Sequence, residues 1–125
     1  MRFRSPLRTA RGLGSARHGV NAWWGQRASA LALVPLSIWL TASLISLAGA
    51  THARFSAWVG TPVNAVAMLL LLGVAFYHLK GGLDVVIEDY VHTEWRKRMT
   101  RTGSTFAVVA AAAASGFAVL KLALT

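Results

Sequence analysis

The chain has 125 residues, 55% of them hydrophobic and 14% charged, with no cysteine and a formal net charge of +9. That balance is too apolar for an ordinary soluble domain of this length and reads as membrane-embedded, while the lack of cysteine excludes disulfides and cysteine-ligated zinc or iron-sulfur centres within the chain. The basic residues are not interleaved with aromatic ones as a nucleic-acid stacking surface requires, so we expect no nucleic acid and read the charge as topological signal plus attraction to lipid headgroups.

Residues 1–20 carry Arg2, Arg4, Arg8, Arg11 and Arg17 without an acid. They read as a cytoplasmic basic arm on the membrane surface, since a secretory signal needs an apolar core. No charged residue or histidine interrupts the 24 positions between Arg27 and His52, the 23 between Arg54 and His78, or the 19 between Arg101 and Lys121. A hydrocarbon core of about 30 Å needs about 20 residues of helix, and lipid satisfies no free backbone groups. The expected fold is all-α: a three-span transmembrane helical bundle after the basic arm, with residues 21–125 as the anchor and spans at about 28–50, 62–91 and 103–124.

In the first span, Trp23 and Trp24 suit the headgroup level, Arg27 the cytoplasmic entry, and Pro35 a modest kink. Ser37, Thr41, Ser43 and Ser46 are tolerable because their hydroxyls can bond back to carbonyls. "THARFSAWVGTPVNAV" reads as an outer turn, with Thr61 as N-cap, Pro62 at the first helical position and Trp58 as interface anchor. The second helix then runs about 30 residues, or about 45 Å, so its last turns leave the hydrocarbon. "HTEWRKRMTRTGS" is the basic inner turn, and the third span contains "VVAAAAASG", small enough for close helix packing. Arg96, Lys97, Arg98 and Arg101 lie on the same side as the arm, against Arg54 alone between the first two spans, so the N-terminus should be cytoplasmic and the C-terminus outside.

The candidate chemistry gathers in "YHLKGGLDVVIEDYVHTEW", at residues 77–95. An intramembrane histidine needs a partner, and neutral imidazole ligates metals including haem iron; by itself such a histidine, here His78, is more often a helix-helix hydrogen-bonder than a ligand. At 100° per residue Gly82, Val85 and Asp89 share its face. Gly81 and Gly82 leave room for something flat, a haem or a neighbouring helix. Asp89 lies about 16 Å along the axis from His78, too far to ligate the same iron, and falls beside Tyr90 at the membrane edge. Lys80, Asp84 and Glu88 form a second stripe of paired or solvated groups. Arg27 is a snorkelling residue that could also meet a carboxylate or propionate.

Two motifs, "QRASALALVPL" and "YHLKGGLDVVIEDYVH", in this order and with His78 preceding Asp89-Tyr90-Val91, resemble the hydrophobic membrane-anchor subunit (the D chain) of succinate dehydrogenase, the succinate:quinone oxidoreductase of respiratory complex II, in its alphaproteobacterial form. The resemblance implies an anchor in the bacterial inner membrane that does not itself oxidise succinate but serves electron transport from the tricarboxylic acid cycle to quinone. It implies that His78 is one axial ligand of haem b, the other coming from a cytochrome b-type C chain, and that flavoprotein and iron-sulfur subunits dock on the cytoplasmic side. It further implies that Tyr90 contacts ubiquinone, that Asp89 tunes that phenol and the proton path, and that Arg27 approaches a haem propionate. Family members carry a histidine six residues before that arginine; here the position is Asn21, with His18 nearby. The competing reading is a cofactor-free transporter or assembly factor, and a transporter would hold an acid near mid-span, where this chain has none before Asp84.

Overall fold

A computed structural model describes residues 16–125, with side chains from Val20 onward. Residues 1–15 of the arm expected at 1–20, and the side chain of His18, therefore lie outside the described residues. The chain forms four helices, α1 (Ala16–Ser46), α2 (His52–Gly60), α3 (Pro62–Tyr90) and α4 (Glu94–Leu124). No strand occurs among the described residues, and α1, α3 and α4 are each long and apolar enough to cross a membrane. The chain is a multi-pass, all-α membrane protein.

α1 runs unbroken through Pro35 for 31 residues, about 46 Å, and its helix begins before the position where the arm was expected to end. At its C-terminus the Ala50 N–H donates to the Leu47 carbonyl at 2.9 Å. Gly49 takes φ 77°, the left-handed conformation that glycine enters without a Cβ penalty.

The segment expected as an outer turn is instead largely helical. The Thr51 hydroxyl accepts from the Arg54 N–H at 3.2 Å, an N-cap that starts α2. Pro62 opens α3 as expected, but the Thr61 hydroxyl donates backward to the Ala57 carbonyl at 3.1 Å and caps nothing. The amide of Asn64 closes the joint by donating to the Trp58 carbonyl at 2.9 Å. This small helix has a packing reason: Val59, Ala65 and Val119 form a buried cluster with Phe55, Trp58, Met68, Leu69, Leu72 and Leu122 around it. Trp58 also stacks on Trp39 of α1, ring centroids 5.6 Å apart and planes 19° from parallel. α2 thus plugs one end of the bundle, packing on α3 and α4 and reaching α1 through the Trp39–Trp58 stack.

At the opposite end the expected inner turn is short. α4 already begins at Glu94, an acid in the first turn, where it complements the helix dipole. Glu88 at the end of α3 accepts from Lys97 Nζ at 3.3 Å and from an Arg101 guanidinium nitrogen at 2.7 Å, tying the two helices across the turn. α3 packs against α1 on one side and α4 on the other, and α1 and α4 do not touch among the described residues. α3 is therefore the central helix, and it carries three of the four acidic residues, Asp84, Glu88 and Asp89. Large apolar side chains such as Leu31, Ile38, Ile45, Phe106 and Phe117 stay exposed, a surface suited to lipid and to other subunits.

Candidate functional site

The site begins with a serine. Ser29, two residues after Arg27 in α1, is 6% exposed and is the one buried polar side chain among the described residues. Its hydroxyl donates to the Gln26 carbonyl one turn back, at 3.0 Å, and sits 2.9 Å from His78 Nδ1 of α3. A hydroxyl has one hydrogen. With that hydrogen on the Gln26 carbonyl, the second contact is a hydrogen bond in the tautomer whose His78 Nδ1–H donates to Ser29 Oγ. The lone pair then lies on Nε2, which makes no hydrogen bond among the described residues. No buried side-chain nitrogen or oxygen there lacks a partner, so Nε2 opens to the bundle surface rather than being sealed inside.

Gln26 holds the same histidine from behind. Its amide Nε2 donates to the His78 carbonyl at 3.1 Å, a carbonyl that lies one turn above Gly82. Its oxygen fills the space beside Gly81: a Cβ built there would lie 2.1 Å from Gln26 Oε1. The gap expected at Gly81 is therefore taken up by the neighbouring helix. Gly25 plays the reciprocal part, since a Cβ on it would lie 2.0 Å from the Tyr77 hydroxyl. Small residues on both helices bring α1 and α3 together at the level of His78, and the side chains of Gln26 and Ser29 reach across.

The other expected residues stand apart from this contact. Arg27 is exposed, its guanidinium 5.2 Å from the Trp23 ring centroid, a cation–π pairing near the start of the span. Asp89 and Tyr90 are exposed at the end of α3, Tyr90 to 78%. Tyr90 borders a cleft of about 450 Å³ between the ends of α3 and α4, shared with His92, Trp95, Arg96 and Met99; Asp89 is not among its lining residues. Arg96 lies 5.5 Å from the Trp95 ring centroid. In the second stripe Lys80 pairs with Asp84 within α3, and Glu88 belongs to the clamp on α4.

Sequence reasoning missed Gln26, Ser29, Trp95 and Arg96. The first two stand inside a motif already singled out, and a hydroxyl at a buried position of an apolar run was the available signal. Among the described residues no three His, Cys, Asp or Glu side chains converge on a metal position. A metal bound through His78 must therefore take its remaining ligands from outside this group.

The fold and this contact define a small three-span membrane protein that presents one oriented imidazole from its central helix and an aromatic, basic cleft at one end. The chain belongs to the succinate dehydrogenase/fumarate reductase transmembrane subunit family, whose model matches residues 1–119. It is 32% identical to the succinate dehydrogenase hydrophobic membrane anchor subunit of Paracoccus denitrificans over 114 residues, covering 90% of this chain and 88% of that one. Over 90 residues it is 32% identical to the subunit of the same name from Rickettsia bellii, 71% of each chain. The succinate dehydrogenase membrane anchor subunit of Reclinomonas americana is 29% identical over 82 residues, 62% of this chain and 68% of that one. No solved structure matches. The chain is a membrane-anchor subunit of this family.

Proposed function

We propose that this chain is the D-type anchor of a succinate:ubiquinone oxidoreductase in the bacterial inner membrane, with its N-terminus cytoplasmic, contributing His78 as one axial ligand of haem b and Tyr90 to the ubiquinone site. The observation that carries the reading is the His78 ring. Its Nδ1 lies 2.9 Å from the Ser29 hydroxyl; in the Nδ1–H tautomer the ring keeps on Nε2 the lone pair a metal needs, and hydrogen bonding of the non-ligating nitrogen is the usual condition of a ligating histidine. The donor set fits haem in a second respect: a porphyrin supplies four nitrogens and asks each flanking chain for a single axial donor, and His78 is the one histidine within a span. When bound, haem b supplies a one-electron redox centre between the anchor chains.

The protein's own groups do the rest. Tyr90, about 18 Å from His78 along α3, donates its hydroxyl to a quinone carbonyl at the rim of the 450 Å³ cleft, and Arg96 gives that cleft a positive charge favourable to a carbonyl gaining electron density. Asp89, exposed beside Tyr90, passes protons from the aqueous side. Arg27 snorkels toward a haem propionate. The basic start of α4 faces the flavoprotein and iron-sulfur subunits, while the exposed apolar faces meet lipid and the cytochrome b-type C chain.

The test is recovery of the chain in mild detergent followed by a visible spectrum. Co-recovery of flavoprotein, iron-sulfur and second anchor subunits with a dithionite-reduced b-type absorption band is the expected result. Recovery of the chain alone and without pigment overturns the proposal.

A further inference from the structure

Two side chains separated by one turn of α1 hold His78 from both ends: Gln26 binds its carbonyl at 3.1 Å and Ser29 its ring nitrogen at 2.9 Å. Nothing else about Ser29 explains its place. It is 6% exposed in a helix where most neighbours face outward, and burying a hydroxyl is unfavourable unless both its donor and acceptor capacities are used. Both are used here. With the hydrogen on the Gln26 carbonyl, the oxygen receives the imidazole N–H of the Nδ1–H tautomer. An alanine would pack equally closely at the helix contact, so the hydroxyl acts on His78 rather than on the fit of α1 to α3.

We infer that Ser29 is a positioning residue for His78: it holds Nδ1–H, keeps the ligating lone pair on Nε2, fixes the ring's rotation about its side-chain axis, and makes the imidazole more basic toward the haem iron. The inference rests on the reading of His78 as a haem ligand. A hydrogen bond from the non-ligating N–H gives the ring partial imidazolate character, which favours the ferric over the ferrous state. Ser29 thereby sets the haem potential from a neighbouring helix, without touching the iron. Gln26 complements it by anchoring the backbone from which the ring projects, so α1 controls both where the ring starts and how it turns.

The experiment compares Ser29→Ala, Ser29→Thr and Ser29→Val in the complete complex, with potentiometric titration of the haem and low-temperature electron paramagnetic resonance of its ferric form. Threonine and valine have nearly the same shape and differ by the hydroxyl; the extra methyl has room in the open groove that Ser29 borders with Ala28, Ala32 and Gly73. Loss of an outer partner of a ligating histidine typically changes metal affinity by about tenfold or more. A tenfold loss of ferric over ferrous preference raises a one-electron midpoint by about 59 mV. The expected result is a positive shift of that order in the alanine and valine variants, with altered ferric g-values, and a near-parental potential in the threonine variant. Loss of haem from the alanine and valine complexes with retention in the threonine complex supports the same assignment. Unchanged potential and g-values in alanine and valine, in a complex whose haem does respond to His78→Ala, overturn the role of Ser29 alone. Equal shifts in threonine and valine also overturn it, since the hydroxyl would then be irrelevant. A haem indifferent to His78→Ala removes the underlying ligand reading instead.

Discussion

At the residue scale, the proposed function rests on His78 and Tyr90, both on α3. His78 stands out because a histidine within a span is costly unless partnered, and Tyr90 because it ends the central helix beside an acid. Ser29 did not stand out: a serine in an apolar helix usually bonds back to its own carbonyls, as Thr41, Ser46 and Ser115 do here. Only the packing of α1 on α3 distinguishes the hydroxyl that also meets a histidine of another helix. Tyr90 carries a prediction of its own. Tyr90→Phe keeps the ring at the cleft and removes the hydroxyl, so succinate-driven quinone reduction should fall by about tenfold or more, the order of effect of removing one hydrogen-bond donor to a developing charge. Reduction of an artificial acceptor by the flavin and iron-sulfur subunits should be unaffected. Equal quinone rates for the parent and the Phe variant would take Tyr90 out of the quinone site.

At the element scale, the three spans were legible because each needs only length and apolarity, whereas their junctions were not. α2 forms because Phe55, Trp58 and Val59 find partners on α1, α3 and α4, information distributed over the whole chain. Gly81 likewise reads as room beside α3 until Gln26 is seen to occupy it, and Gly25 of α1 lies against Tyr77 in the same way. Gly25→Ala should therefore destabilise the subunit by about 1–3 kcal/mol, the usual cost of overpacking, because the aromatic ring of Tyr77 must move. Gly103→Ala, where a Cβ meets nothing within 4 Å, should stabilise α4 by up to about 1 kcal/mol through helix propensity. Thermal denaturation of the purified complex followed by fluorescence compares them, and equal midpoints for the two variants would contradict this packing. The clamp from Glu88 to Lys97 and Arg101 is a weaker device, since its carboxylate side chain is 54% exposed. Glu88→Gln should cost no more than about 1 kcal/mol, and the difference from the parent should shrink in high salt; a large, salt-independent loss would show that the clamp does more than join α3 to α4.

At the scale of the whole molecule, three spans and a +9 charge concentrated at one side lead to a definite topology. Alkaline phosphatase fused after Thr125 should be active and the same enzyme inserted at Gly103 inactive, with the reverse pattern for a cytoplasmic fluorescent reporter; an inactive fusion at Thr125 would invert the assignment. The same view explains why so little of the chain is buried in itself. Leu31, Ile45, Phe106 and Phe117 on its surface suit lipid and the other subunits of a membrane complex. The family and the three spans could be read before any fold was known; the contact between His78 and Ser29 could not, because it joins residues 49 positions apart. The account turns on that imidazole as an iron ligand. The most direct measurement is the reduced-minus-oxidised spectrum and the electron paramagnetic resonance signal of the complex carrying His78→Ala, assembled with all its subunits. Loss of the b-type band, or conversion of the low-spin ferric haem to a high-spin form, is the predicted result. A low-spin haem identical to that of the parent complex would contradict it.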